Sequence, residues 1–269
     1  MTAENIASNL ALLGFAVAAL LYLIEVGKNR GRSAGVSAAL GVLVAATLAG
    51  TYTLVVQLKN TQANLLSGSL LAVAIGWLAV VGHTAFKLRL LGAFVAPLAT
   101  LILLMQFFVT PGRPVASFDD AGNLLLNTHV TTAVLGQAFG ILASAVSIFY
   151  LWQQTLLKKK LLSQLPANLP AIDRIDTMLR FCLWTGYCFI TLGLLSGAIF
   201  TQLYAPPATM MLSAKAIWAT VVWLWYLATL LAQNIFNRPS RQIAQMCLAG
   251  FVLMALSYFG MGFFRMGGP

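Results

Sequence analysis

The stretch HVTTAVLGQAFGILASAVSIFYLWQQ, residues 129–154, decides the fold of this chain. It contains no Asp, Glu, Lys or Arg, and it exceeds the roughly 20 apolar residues that a helix needs to cross a hydrocarbon core about 30 Å thick. Backbone groups in lipid must form their hydrogen bonds within their own segment, so such a run is helical. We therefore predict a membrane-spanning helix here.

Seven further apolar runs of similar length accompany it, separated by short polar segments. The eight predicted spans lie near residues 5–27, 34–57, 65–86, 90–110, 129–154, 179–203, 214–236 and 243–264. The chain is 60% hydrophobic and only 8% charged, a composition that excludes an ordinary water-soluble domain. We predict a single all-α integral membrane domain over residues 1–269, a bundle of about eight transmembrane helices.

Basic residues concentrate in alternate loops, which predicts the orientation of the chain. Twelve of the sixteen Lys and Arg residues fall on one side, and the positive-inside rule makes that side cytoplasmic. We therefore expect both termini outside, in the bacterial inner (plasma) membrane. The net charge of +10 then reflects topology and affinity for anionic lipid headgroups. No nucleic-acid partner is expected, because no basic face with interleaved aromatic residues lies outside the spans.

Only two histidines occur, and titratable side chains near or within membrane spans are candidates for function. His129 opens the fifth predicted span, and Ala133, Gly136 and Gly140 follow on the same helical face. A strip with so little side-chain bulk would let a flat porphyrin lie against the helix while His129 binds its iron. The alternative is that Gly136 and Gly140 form a small-xxx-small motif for close helix packing.

His83 ends a comparable strip on the third predicted span, after Ala72, Gly76 and Ala79. Its helix runs inward, so His83 and His129 are predicted on opposite leaflets, too far apart to bind one metal ion. Either each histidine belongs to a separate metal site, or one of them is an interfacial residue that snorkels or forms hydrogen bonds.

Other chemistry has few candidate residues. The cysteines Cys182, Cys188 and Cys247 form no Cys-x-x-Cys pair, which leaves no covalent attachment site for c-type haem. No acid–base pair, nucleophile motif or mid-span carboxylate is present, so we predict that the protein is not an enzyme. Trp218 begins an aromatic cluster on the seventh span that should contact neighbouring helices or an apolar ligand, and we include it among the candidate cofactor contacts.

Four stretches in the second half carry a family resemblance. They are Asn127-Thr128-His129-Val130 with residues 150–160 at the end of its helix, residues 169–176 leading into 191–200, residues 215–226, and residues 250–260. These stretches resemble the cytochrome c assembly family of haem-handling membrane proteins, which includes the CcsA and CcmC types. The resemblance is strongest over residues 125–262 and is nearest to the short HemX-like and YpjD-like members. A shorter stretch, residues 91–97, resembles the fourth span of HemX-like proteins.

The resemblance implies an external haem site with His129 as the outer histidine. The chain also departs from the family pattern. The loop between the sixth and seventh predicted spans lacks a tryptophan-rich motif, and Gln233 and Asn234 stand where an inner histidine is expected. A second external histidine is missing as well. These departures imply that the chain does not carry out complete cytochrome c haem ligation alone.

Our leading hypothesis is therefore a protein that binds haem b without a covalent bond and traffics haem or regulates its synthesis. His129 would be an axial ligand, and Met210 or Met211 a possible second one. Expected partners are membrane lipids, cytochrome c assembly proteins or, by the HemX resemblance, glutamyl-tRNA reductase. The alternatives are a permease for a small or metal-linked solute without bound haem, and an accessory scaffold subunit.

Overall fold

The computed structural model describes residues 3–27, 33–59, 63–88, 91–108, 120–160, 171–204 and 214–266, and within them the chain forms eight α-helices and no strand. The helices are α1 Ala3–Gly27, α2 Ser33–Lys59, α3 Ala63–Ala85, α4 Gly92–Phe108, α5 Asp120–Lys158, α6 Ile172–Tyr204, α7 Ala214–Asn234 and α8 Ser240–Met266. The all-α prediction is confirmed over these residues.

Two helices begin earlier in the structure than the sequence predicted. Helix α5 begins at Asp120, nine residues before the predicted start at His129, and α6 begins at Ile172, seven residues before residue 179. The predictions followed hydropathy, which falls at Asn123 and Asn127 and again at Asp173 and Arg174. Polar residues continue a helix where they face outward, and an acidic residue such as Asp173 in the first turn complements the helix dipole.

Apolar surface covers much of the described helices, as expected for a chain in contact with lipid. Leu10, Leu13 and Leu20 on α1 are each more than half exposed, an unfavourable arrangement in water. Among the described residues, α1, α2, α3, α5, α6 and α7 are long and apolar enough to cross a membrane. The apolar described parts of α4 and α8, Gly92–Leu104 and Ser240–Leu256, are shorter. The chain is a multi-pass membrane protein, and the count of eight spans and the side of each terminus stay predictions.

The chain divides into two compact units, each built around its own core. Unit 1 consists of residues 1–116 and 152–178. Within it α1 packs against α2 and α4, and α3 packs against α2 and α4, so the four helices close a ring. Small residues permit these close contacts: a Cβ built on Gly76 of α3 would lie 2.7 Å from Thr47 Oγ1 and 3.3 Å from the ring of Phe15.

Unit 2 consists of residues 117–151 and 179–269. Its described core includes the middle of α5, where most side chains from Ala138 to Tyr150 are buried. Helices α7 and α8 pack against each other, and Ser144 of α5 donates a hydrogen bond to the Cys247 carbonyl of α8 at 3.2 Å. Cys182 and Cys247 are free and buried, consistent with packing as small apolar side chains.

Candidate functional site

His129 lies in the third turn of α5, and its ring is tied to α6. Its Nδ1 atom is 2.7 Å from the carbonyl oxygen of Gly193. A carbonyl can only accept a hydrogen bond, so Nδ1 carries the proton and donates it. In a neutral imidazole, the lone pair is then on Nε2. This is the arrangement that metal-binding histidines generally show, because the second nitrogen fixes the tautomer and the orientation of the ring.

The half-buried ring of His129 lies directly on Gly197, one turn further along α6. A Cβ built on Gly197 would lie 2.6 Å from both Cε1 and Nδ1 of His129. That is well inside van der Waals contact, so any larger residue would displace the ring. The Gly193 carbonyl also accepts a hydrogen bond from Ser196 Oγ at 3.1 Å. The same hydroxyl donates to the Leu192 carbonyl at 2.8 Å.

The threonine hydroxyls next to His129 on α5 bond to carbonyls of their own helix. Thr128 donates to the Leu124 carbonyl at 2.8 Å, and Thr132 donates to the Thr128 carbonyl at 2.7 Å. Both threonines satisfy their polar groups within their own helix, as threonine commonly does in membrane helices.

Helix α6 covers the first part of the small-residue strip that follows His129. A Cβ on Gly136 would lie 2.6 Å from Ile190 Cγ1 and 2.9 Å from the Ile190 backbone nitrogen. On the facing helix, a Cβ on Gly193 would lie 3.1 Å from the backbone nitrogen of Ala133. Ala133 and Gly136 thus take part in close helix packing, the alternative that the sequence left open. Contact between these two residues and a porphyrin would require α6 to move away.

Gly140, the last residue of the strip, faces α7 and α8 instead. A Cβ there would lie 2.5 Å from Met254 Cε and 2.9 Å from the Tyr226 hydroxyl, which is itself buried. Gly250 of α8 meets the same hydroxyl, since its Cβ would lie 3.2 Å away. Haem contact by Gly140 stays a prediction, and the role that the geometry supports is the close approach of three helices.

Two tryptophans of α7 pack against neighbouring helices, and a third is exposed. The Trp223 indole donates to Thr191 Oγ1 at 2.9 Å and stacks on Tyr187, and the Trp225 indole donates to the Met246 carbonyl at 2.8 Å. Trp218 is 37% exposed. Trp223 of α7 contacts Thr191 of α6, and α7 follows α6 directly in the chain, so Trp218 lies toward the end of α6 that carries Gly197. Its cofactor contact stays a prediction.

His83 is partly buried in the last turn of α3 and belongs to unit 1, whereas His129 belongs to unit 2. No group of three or more His, Cys, Asp or Glu side chains suited to a metal ion lies among the described residues. Metal binding by His83 stays a prediction. Met210 and Met211, the candidate second ligands, lie outside the described residues.

The donor set at His129 is nevertheless compatible with haem. A bare metal ion needs several protein ligands, but haem brings four porphyrin nitrogens and needs one axial imidazole from the protein. His129, with Nδ1 bonded to Gly193, would offer Nε2 for that role. Gly193 and Gly197 were not among the predicted site residues, although they form a small-xxx-small pair on α6 that is recognisable by its spacing.

A comparison with known protein families gives a match over most of the chain. The family model described as cytochrome C assembly protein matches residues 63–267, from the start of α3 to the end of α8. The chain belongs to the cytochrome c assembly protein family. Both histidines lie inside the matched region. The resemblance to the cytochrome c assembly family is confirmed, and the nearness to its HemX-like members stays a prediction.

Individual relatives are more distant. The chain is similar to the cytochrome c biogenesis protein CcsA of Prochlorococcus marinus subsp. pastoris, with 28% identity over 102 residues, 38% of this chain and 32% of that protein. It is also similar to CcsA of Chlamydomonas reinhardtii, with 27% identity over 188 residues, 66% of this chain and 50% of that protein. These matches thus span 32% to 50% of the length of the relatives. No solved structure matches the chain significantly.

Proposed function

We propose that this family member binds haem b without a covalent bond, with His129 as an axial ligand through Nε2. The observation that carries the proposal is the 2.7 Å hydrogen bond from His129 Nδ1 to the Gly193 carbonyl. It fixes the tautomer in which Nε2 is unprotonated, and it holds the ring before a ligand arrives. Rigid placement of this kind raises affinity because little conformational entropy is lost on binding.

Haem bound here would supply a redox-active iron and a large planar apolar surface. The protein's part is to hold one imidazole at a fixed angle and to keep its Nδ1 proton on the Gly193 carbonyl. Exposed Trp218, on α7, is the aromatic side chain that we propose contacts the porphyrin. A second axial ligand from Met210 or Met211 is part of the same proposal.

The cellular role that we propose follows from membership of the family. The chain would handle haem in a bacterial inner membrane, together with cytochrome c assembly proteins, and would not catalyse a reaction by itself. The names of the relatives, cytochrome c biogenesis protein CcsA, support this context. Regulation of haem synthesis through glutamyl-tRNA reductase, by the HemX resemblance, is the narrower form of the proposal.

The test is the visible spectrum of the protein purified in detergent with haem available, in the oxidised and reduced states. We expect a Soret band in the wild type that His129→Ala removes and His83→Ala keeps. Size-exclusion chromatography of each variant shows whether the fold is retained. Adding free imidazole to His129→Gly should restore part of the band, because it replaces the missing ligand.

A Soret band that survives in His129→Ala would refute the placement of the site. Loss of the band only in His83→Ala would move the site to α3. If no band forms in any sample, the alternatives without haem move ahead. Flux of a small or metal-linked solute across proteoliposome membranes would favour the permease. Stable co-purification with a cytochrome c assembly protein would favour the scaffold subunit.

A further inference from the structure

Helix α3 ends in a lysine whose backbone adopts a conformation that favours glycine. Lys87 has φ 61°, in the left-handed region. The Leu88 N–H bonds to the Gly82 carbonyl at 3.2 Å, so the chain folds back over the last turn of α3 and caps the helix, with its left-handed residue at position 87. Leu88 is buried and anchors the cap.

The amino-terminal turns of α6 face this cap within unit 1 and form an open recess with it. The recess measures about 560 Å³ and is lined by Ala85, Phe86, Lys87, Asp173, Arg174 and Thr177. Ile175 and Met178, on the same turns of α6, are fully buried and fix this wall. The volume lies in the range of sites for small molecules and headgroups.

The recess also lies at the polar end of an apolar helix. The candidate span of α3 runs over Gly68–Ala85, so the lining begins where the apolar segment ends. That is the level at which lipid headgroups meet a membrane protein. Basic side chains at this level attract anionic lipids.

Charge decides which anion suits the recess. Lys87 and Arg174 contribute two positive charges, and the Asp173 carboxylate contributes one negative charge. The lining therefore carries a net charge of +1, which complements one singly charged phosphodiester better than a doubly charged phosphate. We propose that this recess binds the phosphodiester headgroup of an anionic membrane lipid, with Lys87 and Arg174 as the cationic contacts. This inference is independent of haem binding at His129.

The experiment uses the full chain in mixed micelles that contain phosphatidylglycerol in a phosphatidylcholine background. Native mass spectrometry counts the lipid molecules retained as phosphatidylglycerol is titrated. We expect Lys87→Gly and Arg174→Gln each to weaken retention about 5-fold, the factor that corresponds to one cation near the surface. Asp173→Asn should strengthen it by a similar factor. Lys87→Gly suits the left-handed backbone, so its melting temperature without added lipid should not fall.

Lys160→Gly is the matched control. Lys160 also has a left-handed backbone, φ 56°, at the end of α5, and it is not among the residues that line the recess. Its replacement should leave retention unchanged. An equal loss in Lys160→Gly would overturn the proposal, because the effect would then be one of overall charge. Displacement of the lipid by millimolar inorganic phosphate would also overturn it, because the ligand would then be a free anion.

Discussion

A single methyl group can test how the His129 ring is held. In Gly197→Ala the new Cβ would lie 2.6 Å from two ring atoms, so the ring must tilt and its bond to the Gly193 carbonyl must lengthen. Loss of such a supporting contact typically lowers metal affinity about 10- to 100-fold. We expect haem affinity, measured by titration of the Soret band, to fall within this range.

The control is Gly41→Ala on α2, where a Cβ would meet nothing within 4 Å. It should bind haem like the wild type. Wild-type affinity in Gly197→Ala would mean that the ring adopts another position when haem binds, and the proposed ligand geometry would be wrong.

At the same scale, the sequence identifies His129 as a candidate because histidine is rare in this chain. It could not reveal what holds the ring, because the partner is the backbone carbonyl of Gly193, and every residue has one. The contact between the His129 ring and Gly197 is recognisable only once α6 is known to lie against α5. Spacing places glycines on one face but does not say which helix covers that face.

At the scale of helices, substitutions in the small-residue strip of α5 can show whether the strip serves helix packing or haem contact. In Gly136→Ala the added Cβ would lie 2.6 Å from an Ile190 side-chain atom and 2.9 Å from its backbone. Because backbone cannot move aside easily, we expect a loss of about 1–3 kcal/mol in the free energy of unfolding. The measurement is denaturant unfolding of the haem-free protein in detergent.

Gly186→Ala provides a graded comparison on α6. Its Cβ would lie 3.0 Å from the Cβ of Phe139, a milder conflict, so the loss should be smaller than for Gly136→Ala. If Gly136→Ala left the stability of the haem-free protein unchanged and lowered only haem affinity, the strip would be a porphyrin contact after all.

Helix positions were largely predictable because apolar runs dominate this sequence. Every predicted span corresponds to one described helix, and the carboxyl-terminal end of α1 at Gly27 agrees with its prediction. The early starts of α5 and α6 were not predictable from hydropathy, since residues such as Asn123 and Arg174 are exposed and polar but helical. His129 consequently lies two and a half turns inside its helix and not at its head.

At the scale of the whole molecule, orientation remains the main prediction. The basic-residue distribution places both termini outside if all eight helices cross the membrane. Alkaline phosphatase, which is active only outside the cytoplasm, should then be active when fused after residue 115 or at the carboxyl terminus. Fusion after residue 160 should be inactive.

The two shorter apolar helices give distinct alternatives. If α4 does not cross while the other helices do, all three results reverse, because every segment after α4 changes side. If only α8 does not cross, the carboxyl-terminal fusion alone loses activity. The control is expression of every fusion at equal level. Activity after residue 160 would contradict the orientation.

The boundary of the matched family region, at residue 63, cuts through unit 1. Helices α1 and α2 supply Phe15 and Thr47, which cover Gly76 of α3, and Ile175 from beyond α5 completes the same unit. The region matched by the family model is therefore not an independent folding unit. A chimera that contained residues 63–267 alone would leave the α1- and α2-facing surfaces of α3 and α4 without packing partners. A functional chimera would have to include α1 and α2, or other helices that pack in their place.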